Sequence, residues 1–289
     1  MMLGDYLRGR FGCKVYKISL SAGMTCPTLD GTVGTRGCIF CLNGSGEFAQ
    51  EANMPVPEQI ALAKQRIAKK VPPGTKYIAY FQSYTNTYGD LDRFEKIYGQ
   101  AISDPEVVAL SVGTRPDCVG DDVIEMLSRL NRRKPVWVEL GLQTVHEETA
   151  RYIRRGYELG VYDDAVRRLR NAGLETIVHV ILGLPGESED DMAETVRYVV
   201  NSGVDGIKLQ LLHVLSGTDL AQDYASGKFE VMSLDGYVET LKKLLPLIPE
   251  NVTIHRLTGD GPKRYLVAPL WSADKKAVIN RLRKEGILR

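Results

Sequence analysis

The sequence predicts an α/β protein: a parallel barrel, open or closed, of six βα units, followed by a smaller C-terminal extension. Three observations carry this. Near-continuous apolar runs of strand length alternate with segments of helical period, the pattern of parallel strands covered by crossover helices. From the second strand onward the strand starts fall about 30–40 residues apart, the length of one βα unit. Polar or Gly- and Pro-rich stretches follow the strand ends, where a parallel barrel places its ligand site.

The predicted strands are Val15–Leu20, Lys76–Phe81, Val107–Val112, Val136–Leu142, Thr176–Leu182 and Gly206–Leu211. Helical spacing covers Pro57–Lys70, Leu91–Ile102, Asp121–Asn131, Tyr162–Ala172 and Glu189–Asn201. Pro57-Glu58 and Asp121-Asp122 open two of these helices; Asn171-Ala172-Gly173 and Asn201-Ser202-Gly203 close two more. Strand two runs into Gln82-Ser83-Tyr84-Thr85-Asn86-Thr87-Tyr88 and strand three into Gly113-Thr114-Arg115-Pro116-Asp117. Strand four carries Glu139 and ends in Gly141-Leu142-Gln143-Thr144; strand five leads into Gly183-Leu184-Pro185-Gly186-Glu187, and strand six ends in Gln210 before His213. Each stretch alone reads as a turn. Five around one mouth, beside a cysteine loop that follows strand one, read as a site.

Beyond about residue 215 the pattern changes, with a helix over Leu234–Leu247, a short strand over Val252–Leu257 and a last helix over Asp274–Arg283. With no linker or low-complexity tract, the expected division is a barrel over 1–215 and an extension over 216–289 packed on it. Residues 240–289 carry a net charge of +7 and the remainder −6. A basic segment on an acidic barrel suits contact with a phosphate backbone; a solvated helix face explains the same charge.

The chain has 289 residues, 44% hydrophobic and 25% charged, ordinary values for a soluble globular protein with a substantial core. Its net charge of +1 excludes a polyanion-like tail and a uniformly basic nucleic-acid coat. No apolar run reaches the roughly 18–20 residues that span a bilayer. Met1 to Gly12 carries Asp5, Arg8 and Arg10 without an apolar stretch of signal length. These features predict a cytoplasmic protein with no membrane partner.

The five cysteines are Cys13, Cys26, Cys38, Cys41 and Cys118, an odd count that argues against a disulfide framework. Three form Cys26-x11-Cys38-x2-Cys41, and the long spacer between the first two holds Pro27, Gly31, Gly34 and Gly37. Clustered thiolates suit soft metals and iron–sulfur clusters, and a Gly-rich spacer can wrap a bulky centre. A structural zinc site needs a fourth ligand, from Cys13, Cys118 or a distant histidine. Three unrelated cysteines are the remaining reading. A 4Fe-4S cluster on three thiolates leaves one iron open, and an open metal position usually means chemistry.

The cysteine loop and strand ends together resemble the radical S-adenosylmethionine (radical SAM) superfamily, whose usual motif is Cys-x3-Cys-x2-Cys with an aromatic before the last cysteine; Phe40 holds that place. The x11 spacer departs from this and is similar to the subgroup related to the Elongator catalytic subunit. Cys26-Pro-Thr-Leu-Asp-Gly31, Gly37-Cys-Ile-Phe-Cys41, Tyr80-Phe-Gln-Ser-Tyr-Thr-Asn-Thr-Tyr88 and Thr114-Arg-Pro-Asp-Cys118 resemble the bacterial YhcC/YtqA family, of MnmL type. The likeness runs from about Gly12 to Leu215 and less distinctly to the end. It implies a partial parallel (β/α)6 barrel of radical SAM type with its cluster loop at 24–50. It also implies two cofactors, a 4Fe-4S cluster on Cys26, Cys38 and Cys41 and S-adenosyl-L-methionine on the open iron. Reductive cleavage of SAM then yields a 5′-deoxyadenosyl radical that takes a hydrogen atom from substrate.

The resemblance also implies roles by position. Gln82 and Ser83 lie where the superfamily receives the SAM amino group. Gln143 matches a ribose contact, and Arg155, with Arg154 as its neighbour in register, matches the partner of the SAM carboxylate. Val180 to Gly183 and the turn beginning at Leu184 border the adenine. Relatives often read Ile-Glu-Thr-Arg-Pro-Asp on strand three with the glutamate near the ribose. Here Gly113 stands in its place, so that contact is absent or comes from Ser111, Thr114 or Glu139. From the residues alone, Arg115 can simply pair with Asp117, and Glu139 can be a satisfied barrel carboxylate. His179 reads as a hydrogen-bonded barrel residue, His213 can face substrate, and His146 and His255 read as structural or surface. Cys118 reads as a buried small residue.

The same family implies the substrate: the wobble uridine of tRNA, with carboxymethylaminomethyl-uridine converted to aminomethyl-uridine. Lys263, Arg264, Lys275, Lys276, Arg281, Arg283 and Lys284 are the expected RNA contacts, and Tyr84, Tyr88 or Tyr265 the expected stacking partners of an everted base. A flavodoxin- or ferredoxin-type protein would supply the electron. Two other readings are carried: a radical SAM enzyme acting on a small metabolite or a protein, and a non-catalytic, metal-stabilised RNA-binding module.

Overall fold

The computed structural model describes residues 1–42, 53–259 and 261–288, so positions 43–50 of the expected cluster loop lie outside the described residues. In chain order the strands are β1 (Val15–Leu20), β2 (Lys76–Phe81), β3 (Val107–Thr114), β4 (Val136–Gln143), β5 (Glu175–Leu182), β6 (Gly206–Leu211), β7 (Val214–Leu215), β8 (Thr253–Arg256) and β9 (Leu266–Ala268). The helices are α1 (Leu3–Phe11), α2 (Val56–Ile67), α3 (Leu91–Ser103), α4 (Asp121–Asn131), α5 (Glu147–Tyr152), α6 (Leu159–Asn171), α7 (Glu189–Asn201), α8 (Asp219–Ala225), α9 (Leu234–Leu244) and α10 (Lys275–Lys284).

Seven parallel strands form one curled half-barrel in the order β1-β2-β3-β4-β5-β6-β8. The six predicted strands are all present, and the count rises to seven. The short strand expected in the extension, β8, joins the sheet beside β6. Ile254 in β8 and the flanking Val252 and Leu257 bury against the main core, which pattern alone does not distinguish from an appendage.

The convex face of the sheet carries the helices. Ile18, Leu20, Ala79, Phe81, Leu110, Val112, Val138 and Leu140 point outward into the main core with Phe94, Tyr98, Leu127 and Tyr162. Complete burial of Phe94, Tyr98 and Tyr162 makes this the principal source of stability, each aromatic truncation costing about 3–5 kcal/mol. Local signals position the helices: the Asp90 side chain caps α3, and Ser188 with Asp191 forms a capping box on α7.

The alternate residues face the lumen in layers. At the N-terminal end of the strands Val15, Ile78, Ala109, Trp137 and Ile177 form an apolar plug with Leu7. The α1 helix closes that end; the Tyr6 hydroxyl donates to Glu175 Oε2 across 2.8 Å, and Met2 bridges to Ile254 of β8. The lumen is therefore closed at the N-terminal strand ends and opens toward the C-terminal ones. The antiparallel β7–β9 pair and the segment after β8 lie at that mouth, because β8 runs parallel to β6. No helix among the described residues is long and apolar enough to cross a membrane.

Candidate active site

The cysteine loop leaves β1 at the mouth. Turn hydrogen bonds shape it: Leu29 N to Cys26 O at 2.9 Å, Val33 N to Pro27 O at 2.8 Å, and Gly37 N to Thr28 O at 2.8 Å. Cys41 N donates to Cys38 O at 3.0 Å. The loop is anchored across the mouth, where Ile39 N donates to Ile153 O at 3.1 Å and Leu220 N to Ile39 O at 3.0 Å. Ile39 and Phe40 pack with Ile181, Leu184 and Leu212 in an apolar cluster under the loop. Leu184, expected beside the adenine, thus lies at the strand-five turn against the loop.

The three cysteines are half-buried. Burial first, and then the charges of Cys41 and Cys26, push the Cys38 thiol up to about 12, so these sulfurs share one electrostatic environment. Among the described residues, three ligand atoms come within 4.8 Å of one another at His146, Asp191 and Glu194, and not at the cysteines. A single zinc ion would need the sulfurs within about 4 Å of one another; a cube of four irons spreads them wider.

The segment after β2 locks onto this loop. Thr85 Oγ1 donates to Cys26 Sγ at 3.2 Å, and Thr28 Oγ1 lies 3.0 Å from the same sulfur. Asn86 Nδ2 donates to the carbonyls of Ser83 and Gly113 at 3.1 and 2.9 Å, stitching β2 to β3. Thr87 Oγ1 lies 2.6 Å from Thr114 Oγ1 and donates to Cys118 O. Tyr84 takes φ +61°, a left-handed turn forced between these anchors.

Three observations fit this mouth to SAM. Ser83 Oγ and Gln143 Oε1 are buried without a hydrogen-bond partner, and both are positions where the resemblance places SAM contacts. Gln143 follows a β-bulge and takes φ +73°, which folds its amide back over the lumen; a Cβ on Gly141 would lie 2.9 Å from its Nε2. Gly113 leaves the adjoining wall bare, since a Cβ there would meet Phe81 O at 3.3 Å. Gln82 stands half-buried at the end of β2.

Other expected contacts are placed differently. Glu139 is fully buried and committed: Lys17 Nζ and Ser111 Oγ donate to its Oε1, each at 2.5 Å, and His179 Nε2 and Lys208 Nζ donate to its Oε2. It is the satisfied barrel carboxylate, and Ser111 is held with it, so neither replaces the glutamate that Gly113 lacks. Burial opposes its charge, yet Lys17 and then Lys208 hold its pKa well below the carboxylate range. Thr114 is buried and paired with Thr87. Arg155 is 2% exposed, and its fork donates to Tyr157 O, Thr144 O and Glu147 Oε1 at 3.0, 2.7 and 3.0 Å. That geometry staples the loop after β4 rather than leaving a guanidinium for a ligand. Its neighbour Arg154 lies at the loop instead: its carbonyl is 3.8 Å from Cys38 Sγ, and its Nη1 pairs with Asp219 at 2.6 Å.

Sequence reasoning missed that the charge of Arg115 reaches the thiols. Arg115 makes a bidentate pair with Asp117 at 2.9 and 2.7 Å, as weighed, but it also stacks on Tyr157 and feels the charges of Cys38 and Cys26. Burial disfavours its charge, and the Asp117 hydrogen bond keeps it protonated. The signal was the spacing Arg115-x-Asp117 beside Cys118. The basic residues Lys263, Arg264, Lys275, Lys276, Arg283 and Lys284 are exposed, while Arg281 is half-buried and pairs with Asp235 and Glu285. Lys263 and Arg264 follow β8 and so lie at the mouth, with Arg264 over the Tyr265 ring. Tyr88 lies against the cysteine loop, its hydroxyl 2.6 Å from Thr32 Oγ1.

The sequence profile described as the Radical SAM superfamily matches residues 31–199, more than half of the chain, and the Radical_SAM C-terminal domain profile matches 204–286. The chain belongs to the radical SAM superfamily. Within this radical SAM group it falls on the YhcC/YtqA branch, which is related to Elongator. YtqA of Bacillus subtilis (strain 168) is 43% identical over 284 residues, covering 98% of this chain and 88% of YtqA. A tRNA uridine(34) acetyltransferase of Methanocaldococcus jannaschii is 26% identical over 163 residues, 55% of this chain and 30% of that protein. The solved structure of Elp3 from Methanocaldococcus infernus shares the fold with a TM-score of 0.71 at 18% identity, covering 95% of this chain and 64% of that one. Membership of a radical SAM family implies an enzyme with a 4Fe-4S cluster and SAM, and it leaves no place for the reading as a non-catalytic metal-stabilised module.

Proposed function

We propose that this radical SAM enzyme modifies the wobble uridine of tRNA, converting the carboxymethylaminomethyl side chain to aminomethyl. What supports the site is that Cys38 feels the charges of Cys41 and Cys26, and that their loop lies at the same strand ends as the unpaired Ser83 Oγ and Gln143 Oε1. When bound, the cluster and SAM supply reductive cleavage and hydrogen-atom abstraction at an unactivated C–H bond. The protein's own residues do the placing. Cys26, Cys38 and Cys41 hold the irons, Ser83 and Gln143 satisfy polar groups of SAM, and Gly113 and Gly141 leave the wall bare enough for it to approach. The plug of Trp137, Ile177 and α1 keeps bulk water out from below.

The likeness to a tRNA uridine(34) acetyltransferase and the exposed Lys263 and Arg264 beside the mouth support tRNA as substrate. Tyr84, Tyr88 and Tyr265 lie at the same end and are the proposed stacking partners. A flavodoxin- or ferredoxin-type donor and a cytoplasmic location complete the reading. The test is anaerobic reconstitution followed by SAM, reductant and undermodified tRNA, with mass analysis of the nucleosides. Loss of the carboxymethyl group supports the assignment. Formation of 5′-deoxyadenosine with every nucleoside unchanged removes the tRNA substrate and keeps the radical chemistry.

A further inference from the structure

Below the mouth the barrel wall carries a layer of polar side chains contributed by almost every strand. Lys17 comes from β1, Tyr80 from β2, Ser111 from β3, Glu139 from β4, His179 from β5 and Lys208 from β6. They meet at one carboxylate, which is possible only on the concave face of a curled sheet. The charges do not balance. Two lysine side chains share the single carboxylate of Glu139, and Arg256 of β8 adds its charge to theirs. Burial, with Lys17 and Arg256 working against the pull of Glu139, brings Lys208 down to about 7; burial and Arg256 likewise lower Lys17. Burial, with Lys208 adding to it, drives His179 down to about 4, so it faces the layer as a neutral imidazole; His255 below is likewise held neutral by burial. Excess positive charge in a dry layer is costly unless something complements it.

Hydrogen-bond capacity is also left over. Each ammonium has three N–H donors. Lys17 spends two, on Glu139 Oε1 at 2.5 Å and Ser111 Oγ at 3.4 Å. Lys208 spends two, on Glu139 Oε2 and on the Tyr80 hydroxyl at 3.2 Å. The Tyr80 ring sits against both, its centroid 4.6 Å from one Nζ and 4.5 Å from the other, which fixes the ammoniums as neighbours.

The layer is reachable. β5 lies inside the sheet between β4 and β6, so the 17% of the His179 side chain that stays exposed must open into the lumen. The Lys17 side chain keeps 19% exposed and that of Lys208 5%, so an entering group meets Lys17 first and Lys208 beneath it. One step toward the mouth, Gly113 and Gly141 contribute no side chain, and Ser19, Gln82 and Gln210 are only half-buried. A ligand that passes the SAM-binding strand ends meets these two lysines next.

We propose that Lys17 and Lys208 together receive a carboxylate of the substrate on the floor of the barrel, each donating its remaining N–H, with Glu139 and Tyr80 as the positioning residues that hold them apart at the right spacing. An entering carboxylate would pair with the positive charge that Lys17, Lys208 and Arg256 bring to the layer. This deepens the tRNA reading and rests on it for the identity of the group, the carboxymethyl end of the wobble side chain. The carboxylate seat itself does not depend on RNA.

The test uses the reconstituted holoenzyme and two kinds of probe. In the first, lysine labelling by reductive methylation is mapped by mass spectrometry with N-benzylglycine or with its carboxylate-free partner N-methylbenzylamine. Protection of Lys17 and Lys208 by about threefold or more with the carboxylate alone is the expected result. In the second, anticodon stem-loops carrying carboxymethylaminomethyl- or aminomethyl-uridine are compared by affinity. The wild type is expected to favour the first by about tenfold, and Lys208→Met to bring the ratio to about one, with Lys208→Arg keeping part of it. Equal labelling with both small probes, together with equal stem-loop affinities, overturns the seat and leaves tRNA as a substrate. Protection by N-benzylglycine with no stem-loop binding supports the seat and overturns the tRNA reading. The labelling arm reads the unmodified protein, so a variant that misfolds does not blunt the test.

Discussion

Thr85 donates its hydroxyl to the sulfur of Cys26 across 3.2 Å, tying the segment after β2 to the cysteine loop. A hydrogen bond to a ligating sulfur stabilises the more negative, reduced cluster and raises its potential. Thr85→Val is expected to retain iron and to lower the midpoint potential of the reconstituted protein. Spectroelectrochemical titration of both proteins checks this, and an unchanged potential would remove Thr85 from the tuning of the site.

Gly156 supports the loop from the other side. Its φ is +80°, and a Cβ there would come 2.6 Å from Val33 Cγ1. Gly156→Ala is expected to cost about 1–3 kcal/mol and to lower the iron bound per chain, because the cysteine loop must shift. Gly173 is the control, with φ +67° and nothing within 4 Å of its Cβ. Gly173→Ala carries the backbone strain alone, about 1 kcal/mol, and should leave iron content unchanged. Thermal denaturation and iron quantitation separate the two.

The Arg155 fork is a staple with three acceptors, Thr144 O, Tyr157 O and Glu147. Arg155→Lys cannot reach all three and is expected to destabilise the protein by about 2–4 kcal/mol while SAM affinity of the folded enzyme changes little. Denaturant titration alongside calorimetric SAM binding reads both. A large loss of SAM affinity with stability intact would place Arg155 on the SAM carboxylate after all.

The neutral imidazole of His179 makes an acid limb. Its pKa falls to about 4, first through burial and then through Lys208, while the unfolded chain keeps the ordinary value near 6.5. As pH drops through that window the unfolded state takes up a proton that the folded state refuses, so stability falls with falling pH, by up to about 1.4 kcal/mol per pH unit for this group. His179→Gln is expected to flatten the stability–pH curve between those values. Urea unfolding at several pH values checks it; a slope unchanged by the substitution would show that the imidazole is charged in the fold.

Much of this was legible in the sequence, for reasons visible in particular residues. β1, β2 and β6 and helices α4 and α7 fall where apolar runs and helix punctuation put them, since short apolar strands and amphipathic helices with acidic first turns write strong local patterns. The role of β8 was not legible: four residues can form an edge strand of a barrel or a stray turn, and the neighbour β6 decides. Helix α1 escaped because only Leu7 of its nine residues is buried. At the site, Cys26, Cys38 and Cys41 announced themselves by spacing. Glu139 and Arg155 carried the chemistry of ligand contacts but are used up by other partners: Glu139 by Lys17 and Lys208, distant in sequence, and Arg155 by Thr144 and Tyr157, near in sequence but brought to it only by the fold of the loop after β4. The lumen lysines were silent because each lies alone in an apolar strand.

The central claim is that Cys26, Cys38 and Cys41 hold a 4Fe-4S cluster with one iron free for SAM. Electron paramagnetic resonance of the reduced, anaerobically reconstituted protein, with and without SAM, tests it most directly. The account predicts a cubane signal that shifts when SAM is added and disappears when any one of the three cysteines is replaced by alanine. A chain that binds a lone metal ion, or a cluster whose signal ignores SAM, would contradict it.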